Sequence, residues 1–256
     1  MTVINQNISS EFSVGKTLGR SFYIFSRNIL PLVTIVILFQ IPAVTWLVAS
    51  GQYDINFDDP STFSNINWIV HFGVIFLSVI LSCVSTAAVT YGVFMDITGR
   101  KFTIGDCLSK SFSVLVPVIV MGVLVNILFF VGLALLIIPG VFVFLVLFVV
   151  FPVIIVEQPG IFDCLKRSYY LTKGNLWSLL GLSLVLLVIS LGGGYLGQFL
   201  GTLFKGMGFD IVAVIVTTVA QSLYMAFWII VGAVTYNNLR TIKEGISSDR
   251  IAAVFS

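Results

Sequence analysis

Residues 114–156 run for 43 positions without one Asp, Glu, Lys or Arg, and nearly every side chain among them is aliphatic or aromatic. As a single helix this run would extend about 64 Å at 1.5 Å per residue, roughly twice the hydrocarbon core of a bilayer. Pro139-Gly140 lies inside it. Proline interrupts a helix and glycine permits a reversal. The expectation is a tight hairpin of two spans, 114–137 and 141–156, turning at Pro139-Gly140.

Four more charge-free stretches, 29–50, 68–95, 176–204 and 211–239, each suit one crossing, since a span needs about 20 apolar residues. The expected fold is all-α: a polytopic membrane protein of six transmembrane helices, forming one integral membrane domain over 1–256. Composition agrees. Only 9% of residues are charged and 58% are hydrophobic, whereas soluble domains carry charge at about a quarter of positions. So little polar surface cannot cover the chain, and part of it must face lipid. A net charge of +2 excludes a broad basic surface for nucleic acid. Lys16, Arg20 and Arg27 before an apolar run imitate a secretory leader. The run from Leu30 to Ser50 is longer than a leader core and holds Pro31 and Pro42, so the chain is expected to keep it from Met1 onward.

Loop charge sets the orientation. Of the thirteen bases, Lys16, Arg20, Arg27, Arg100, Lys101, Lys110, Lys166, Arg167, Lys173, Arg240, Lys243 and Arg250 fall on one side, and only Lys205 on the other. The first loop of the poor side holds Asp54, Asp58 and Asp59. Both termini are therefore expected in the cytoplasm of a bacterial-type inner membrane. Five spans would put Arg240 and Lys243 outside, so the charge count also supports the hairpin.

Three of the basic segments resemble one another: VGKTLGRSF (Val14 to Phe22), IGDCLSKSF (Ile104 to Phe112) and IFDCLKRSY (Ile161 to Tyr169). The first and third continue alike, as SFYIFSRN and SYYLTKGN. Each precedes two spans, which divides the chain into repeat units of about 12–98, 102–157 and 159–240. At 100° per residue, Val14, Leu18, Phe22 and Phe25 share one helix face, with Lys16, Arg20 and Arg27 opposite. Ile104, Leu108, Phe112 and Leu115 oppose Lys110 in the same way, and Ile161, Leu165 and Tyr169 oppose Arg167. Such helices are expected to lie in the membrane interface before each hairpin. Lys16, Arg20, Arg27, Lys110 and Arg167 are candidate contacts to anionic lipid headgroups, each favoured by about 1 kcal/mol. Asp106 and Asp163 suit helix N-termini. The three helices could form a docking collar, or they could simply fix the depth of each hairpin.

FSVGKTLGRSFYIFSRNILP (Phe12 to Pro31), LLIIPGVFVFLVLFVVFPVIIVEQPGIFDCLKRSYYLTKGN (Leu135 to Asn175) and YNNLRTIKEG (Tyr236 to Gly245) together resemble the glycerophosphoryl diester phosphodiesterase membrane domain family, with its YciC-like bacterial inner-membrane proteins. The resemblance implies six membrane helices and no established activity for the membrane domain alone. Some members of that family carry a catalytic barrel of roughly 250 further residues, with acidic and histidine ligands for a metal. Eleven residues follow Gly245 here and His71 is the sole histidine, so that catalytic part is not expected.

The chemistry-bearing residues are sparse. No span holds a charged residue near its centre, and Asp96 and Glu157 sit at span ends, which weighs against ion-coupled transport. His71 lies near a span end after Trp68. Gln40, Asn126, Gln198 and Gln221 could line a path or bond between helices. Cys83, Cys107 and Cys164 have no metal-ligand spacing. Gly15-Lys16-Thr17 lacks the rest of a phosphate loop. Gly193, Gly197 and Gly201 recur every four residues and form a candidate helix-packing face, within the chain, between two copies, or around a lipid tail. Neither catalysis nor a cofactor is expected. The leading expectation is a scaffold or accessory membrane protein working with anionic lipids and with a membrane-protein partner or a second copy. The alternative is a transporter or lipid-handling protein.

Overall fold

The computed structural model describes residues 12–50 and 68–245. Ten helices occur among them: α1 (Val14–Arg27), α2 (Ile29–Ala49), α3 (Trp68–Ile97), α4 (Ile104–Ser113), α5 (Leu115–Leu135), α6 (Ile137–Val146), α7 (Val150–Val156), α8 (Ile161–Thr172), α9 (Leu176–Gly206) and α10 (Asp210–Glu244). Six stretches are long and apolar enough to cross a membrane: α2, α3, α5, α6 with α7, α9 and α10. They form three hairpins. Amphipathic α1, α4 and α8 precede the hairpins, one each, at the end of the bundle where the bases collect. The loop holding Asp54, Asp58 and Asp59, and Arg250 beyond α10, lie outside the described residues.

Prolines place the breaks. Pro31, Pro117, Pro139 and Pro152 each occupy the third position of their helix, and the helix before each ends at the residue three places upstream or before it: Asn28, Val114, Leu136 and Val149. A proline has no N–H to give the carbonyl four residues back, and its ring clashes with that carbonyl. In the first turn of a new helix that N–H would have no intrahelical partner, so the proline is tolerated there. The α1–α2 and α4–α5 junctions are thus single residues, Asn28 at φ −119° and Val114 at φ −109°.

The hairpin expected at Pro139-Gly140 forms, but it turns earlier. Leu136 is extended, at φ −177° and ψ 156°, while Pro139 and Gly140 already belong to α6. Gly140 instead supplies closeness. A Cβ built on Gly132 would stand 2.9 Å from the Gly140 Cα, so the two arms touch backbone to backbone. A second break at Leu147–Val149 divides the returning span into α6 and α7.

α10 is the hub, packed against α1, α2, α3, α7, α8 and α9, and α3 lies beside it with α2, α4, α5 and α7 around it. Fully buried Val84, Ala87, Ala88, Val93, Phe94, Ile230, Val231, Ala233, Val234 and Tyr236 sit in the halves of α3 and α10 near the basic end. Small residues allow that approach. A Cβ on Gly92 would meet Leu32, Phe102 and Cys107, and one on Gly122 would meet the Cys83 Sγ at 2.9 Å. Towards the opposite end the helices part. Trp68, Ile69, Phe72 and Phe76 of α3, and Tyr195, Leu196, Phe199 and Leu203 of α9, are exposed, as lipid-facing side chains should be.

Candidate functional site

The basic end is the part of the molecule where polar chemistry concentrates. Each of its three amphipathic helices turns a narrow strip of small residues inward. Thr17, Cys107 and Cys164 stand at one position of the three similar segments, Ser21, Ser111 and Ser168 at another, and all six are no more than 1% exposed. The aromatic residue of each segment, Phe22, Phe112 or Tyr169, is exposed instead. The strip bonds to carbonyls: the Ser21 hydroxyl donates to Thr17 O, Ser111 to Leu108 O, and Ser168 across to Val146 O at 2.6 Å. That last bond uses the carbonyl of the final residue of α6, just before the α6–α7 break. Asn238 of α10 donates to the Thr17 hydroxyl at 3.0 Å and ties α1 to the hub. Thr103 and Asp106 cap α4 reciprocally.

Two charge clusters lie behind these helices. In the first, Asp96 ends α3 and its side chain is only 7% exposed. It accepts from Asn28 Nδ2 at 3.0 Å and faces the Arg27 guanidinium at 3.6 Å. Burial lowers the Arg20 pKa and the Asp96 charge partly restores it. In the second, Glu157 follows α7. It receives two bonds from Arg167, Nε to Oε2 at 2.8 Å and a terminal nitrogen to Oε1 at 3.0 Å. It also accepts from the Tyr236 hydroxyl at 2.6 Å. Arg167 reaches on to Glu244, which accepts from Arg240 at 3.2 Å, and Arg240 also donates to the Tyr236 hydroxyl. Burial alone would lower the Arg167 pKa, but the Glu157 and Glu244 carboxylates overcome it and hold it above its ordinary value. Tyrosine rings cover the cations: Tyr170 lies under Arg167 and Lys243, Tyr169 under Lys173, and Tyr236 under Arg240.

The five candidate headgroup contacts therefore divide. Lys16 is exposed on α1, and Lys110 is half-buried on α4. Arg20 and Arg27 share their field with Asp96. The Arg167 guanidinium, 23% exposed, binds two carboxylates of the protein itself, Glu157 and Glu244. Sequence reading noted Glu157 as a span end and missed the network around it. The usable signal was that the returning arm of each of the three hairpins closes on an acid, Asp96, Glu157 or Glu244, next to surplus bases.

The glycine face also divides. A Cβ on Gly197 would lie 2.7 Å from the Ala220 Cβ, and one on Gly201 would lie 2.5 Å from the Thr217 methyl, so both serve the α9–α10 contact inside the chain. Gly193 meets nothing within 4 Å. It lines an apolar groove of about 540 Å³ with Phe22, Leu196, Val219, Leu223 and Phe227. Gln40 donates to Ser222 at 3.1 Å across α2 and α10, and Asn126 bonds only its own helix at Gly122 O. Gln198 and Gln221 share a small pocket of about 70 Å³. His71 stacks edge-on against Trp68. The three cysteines are free and buried. Among the described residues no three His, Cys, Asp or Glu side chains converge as metal ligands would.

No curated protein and no solved structure matches the chain. A family model does, over residues 56–239, which takes in α3 to most of α10 and hence Asp96, Glu157, Arg167 and Tyr236. This six-span helical membrane protein belongs to the family described as Domain of unknown function (DUF7847).

Proposed function

We propose that the protein is a non-catalytic, multi-pass protein of a bacterial-type inner membrane, with both termini in the cytoplasm, that scaffolds or assists a process of the cell envelope. The observation that carries this reading is the solid contact between α3 and α10. The hairpins meet on fully buried Ala88, Val89, Val93, Ile230, Ala233 and Val234, where a coupled transporter would place ionisable groups around a polar passage. Exposed bases on the collar face anionic headgroups, and the ion-paired acids behind them hold the collar rigid. Kinship with the glycerophosphoryl diester phosphodiesterase membrane domain belongs to the same proposal: its resembling stretches supply α1, α8 and the close of α10.

Cross-linking in native membranes followed by purification tests the accessory role. A reproducible partner protein is expected, and recovery of the chain alone would count against it. A reporter joined after Gly245 should be found on the cytoplasmic side.

Lipid handling is the second reading, favoured by the groove beside Gly193. Gly197→Leu cannot test it, since that change breaks the α9–α10 contact. Gly193→Leu adds a side chain at the groove where a Cβ meets nothing within 4 Å, and lipid flux in liposomes that it abolishes would support this reading over scaffolding.

A further inference from the structure

One cavity at the basic end differs from the rest. It holds about 530 Å³ between the end of α3 and α4, and its walls are Tyr91, Met95, Lys101, Phe102, Asp106 and Lys110, with Ser109 and Ser113. The grooves lined by Ile215 and Val219 or by Phe129 and Trp228 are mostly apolar; this one is lined by two lysines, two serines, a tyrosine and an aspartate. Among the described residues neither Lys101 nor Lys110 has an ion pair. Asp106 does not neutralise them directly. Its carboxylate accepts from the Thr103 N–H at 3.0 Å and the Thr103 hydroxyl at 2.7 Å, bonds that keep it ionised. The lysines outweigh the one fixed carboxylate among the lining residues, so the cavity is electropositive and suits an anionic phosphate group.

We propose that this cavity binds the phosphodiester headgroup of one anionic phospholipid from the adjacent leaflet, with Lys101 and Lys110 as its cationic ligands. Depth argues for a lipid over a dissolved anion. Tyr91 and Met95 stand on the last turns of a membrane span, and Ser113 immediately precedes the junction into the next. Phe112 and Val116 beside it are 59% and 70% exposed, an apolar surface at the level where acyl chains begin. The inference rests on the collar reading above and narrows it from diffuse attraction to one site.

The test is native mass spectrometry of the full chain from nanodiscs of phosphatidylglycerol and phosphatidylcholine. One retained phosphatidylglycerol is expected. Lys101→Ala with Lys110→Ala should weaken its retention about thirtyfold, and Lys101→Arg with Lys110→Arg should restore much of it. Lys166→Ala with Lys173→Ala removes equal charge from the collar elsewhere and should leave retention unchanged. Equal loss from both alanine pairs would overturn the site while leaving the collar reading intact. No preference for phosphatidylglycerol in any variant would overturn both. Displacement of the lipid by millimolar inorganic phosphate would overturn the lipid as occupant. Circular dichroism and size-exclusion profiles matching the parent protein establish that each variant is folded.

Discussion

The Tyr236 hydroxyl donates to the Glu157 carboxylate at 2.6 Å, joining the last span to the acid that closes the hairpin of α5, α6 and α7. The two residues are 79 positions apart. Tyr236 is fully buried, so this bond, with Arg167 and Arg240 around it, sets how the second hairpin sits on the hub. A half-satisfied ionic network of this kind is worse than none.

Removing one member should therefore cost more than removing a surface ion pair. Arg167→Met leaves Glu157 and Glu244 facing each other with less compensation, and the side chains of Arg167 and Glu157 are only 23% and 19% exposed. A loss of about 3 kcal/mol is expected. Tyr236→Phe, which removes one hydrogen bond from a carboxylate, should cost less, about 1.5 kcal/mol. Reversible unfolding in mixed micelles measures both, and equal effects would contradict the ranking.

The glycines of α9 should separate by position. Gly201→Leu and Gly197→Leu push a side chain into Thr217 or Ala220, a cost of about 2–3 kcal/mol. Gly193→Leu should be nearly neutral, because nothing lies within 4 Å of its Cβ. Thermal stability of the three variants in one detergent decides it.

Burial pushes the Cys107 thiol up to about 12, helped by Asp106, and the Cys164 thiol up to about 11, helped by Glu157 and Asp163. Both should resist maleimide in the folded protein at neutral and mildly alkaline pH. The linkage has a definite sign: unfolding frees each thiol to ionise near its ordinary pKa of 9.0. Stability from these groups is thus complete below pH 9 and declines as pH rises towards 11 and 12. Unfolding of the parent and of Cys107→Ser across that window reads the difference.

Proline 117 should govern access to Cys107. Pro117→Ala restores an N–H that can bond the Ser113 carbonyl, so α4 can run straight into α5 and leave its seat on Gly92. Cys107 labelling should then rise severalfold while Cys164 labelling stays low. Unchanged Cys107 labelling would show that the proline does not hold the junction.

The breaks illustrate how far a sequence can be read. The charge-free run 114–156 required a hairpin on length alone, and the hairpin is there. Its turn lies at Leu136 because a proline belongs in the first turn of the next helix, a local rule that had been available at Pro139. The collar faces were legible by angle, yet the inward strip was not, because Thr17, Cys107 and Ser168 are too small and polar to stand out by hydrophobicity.

Length, charge-free spacing and the one-sided placement of Lys and Arg are properties of the chain itself, because crossing a bilayer constrains every span separately. They determined six spans, three hairpins and a basic end. Only tertiary structure decided which bases remain available, since Arg167 meets Glu157 and Glu244 through three different helical elements. It alone also placed Lys101 and Lys110 on one cavity and separated Gly193 from Gly197 and Gly201. Those outcomes depend on distances between segments far apart in sequence, which no local pattern encodes.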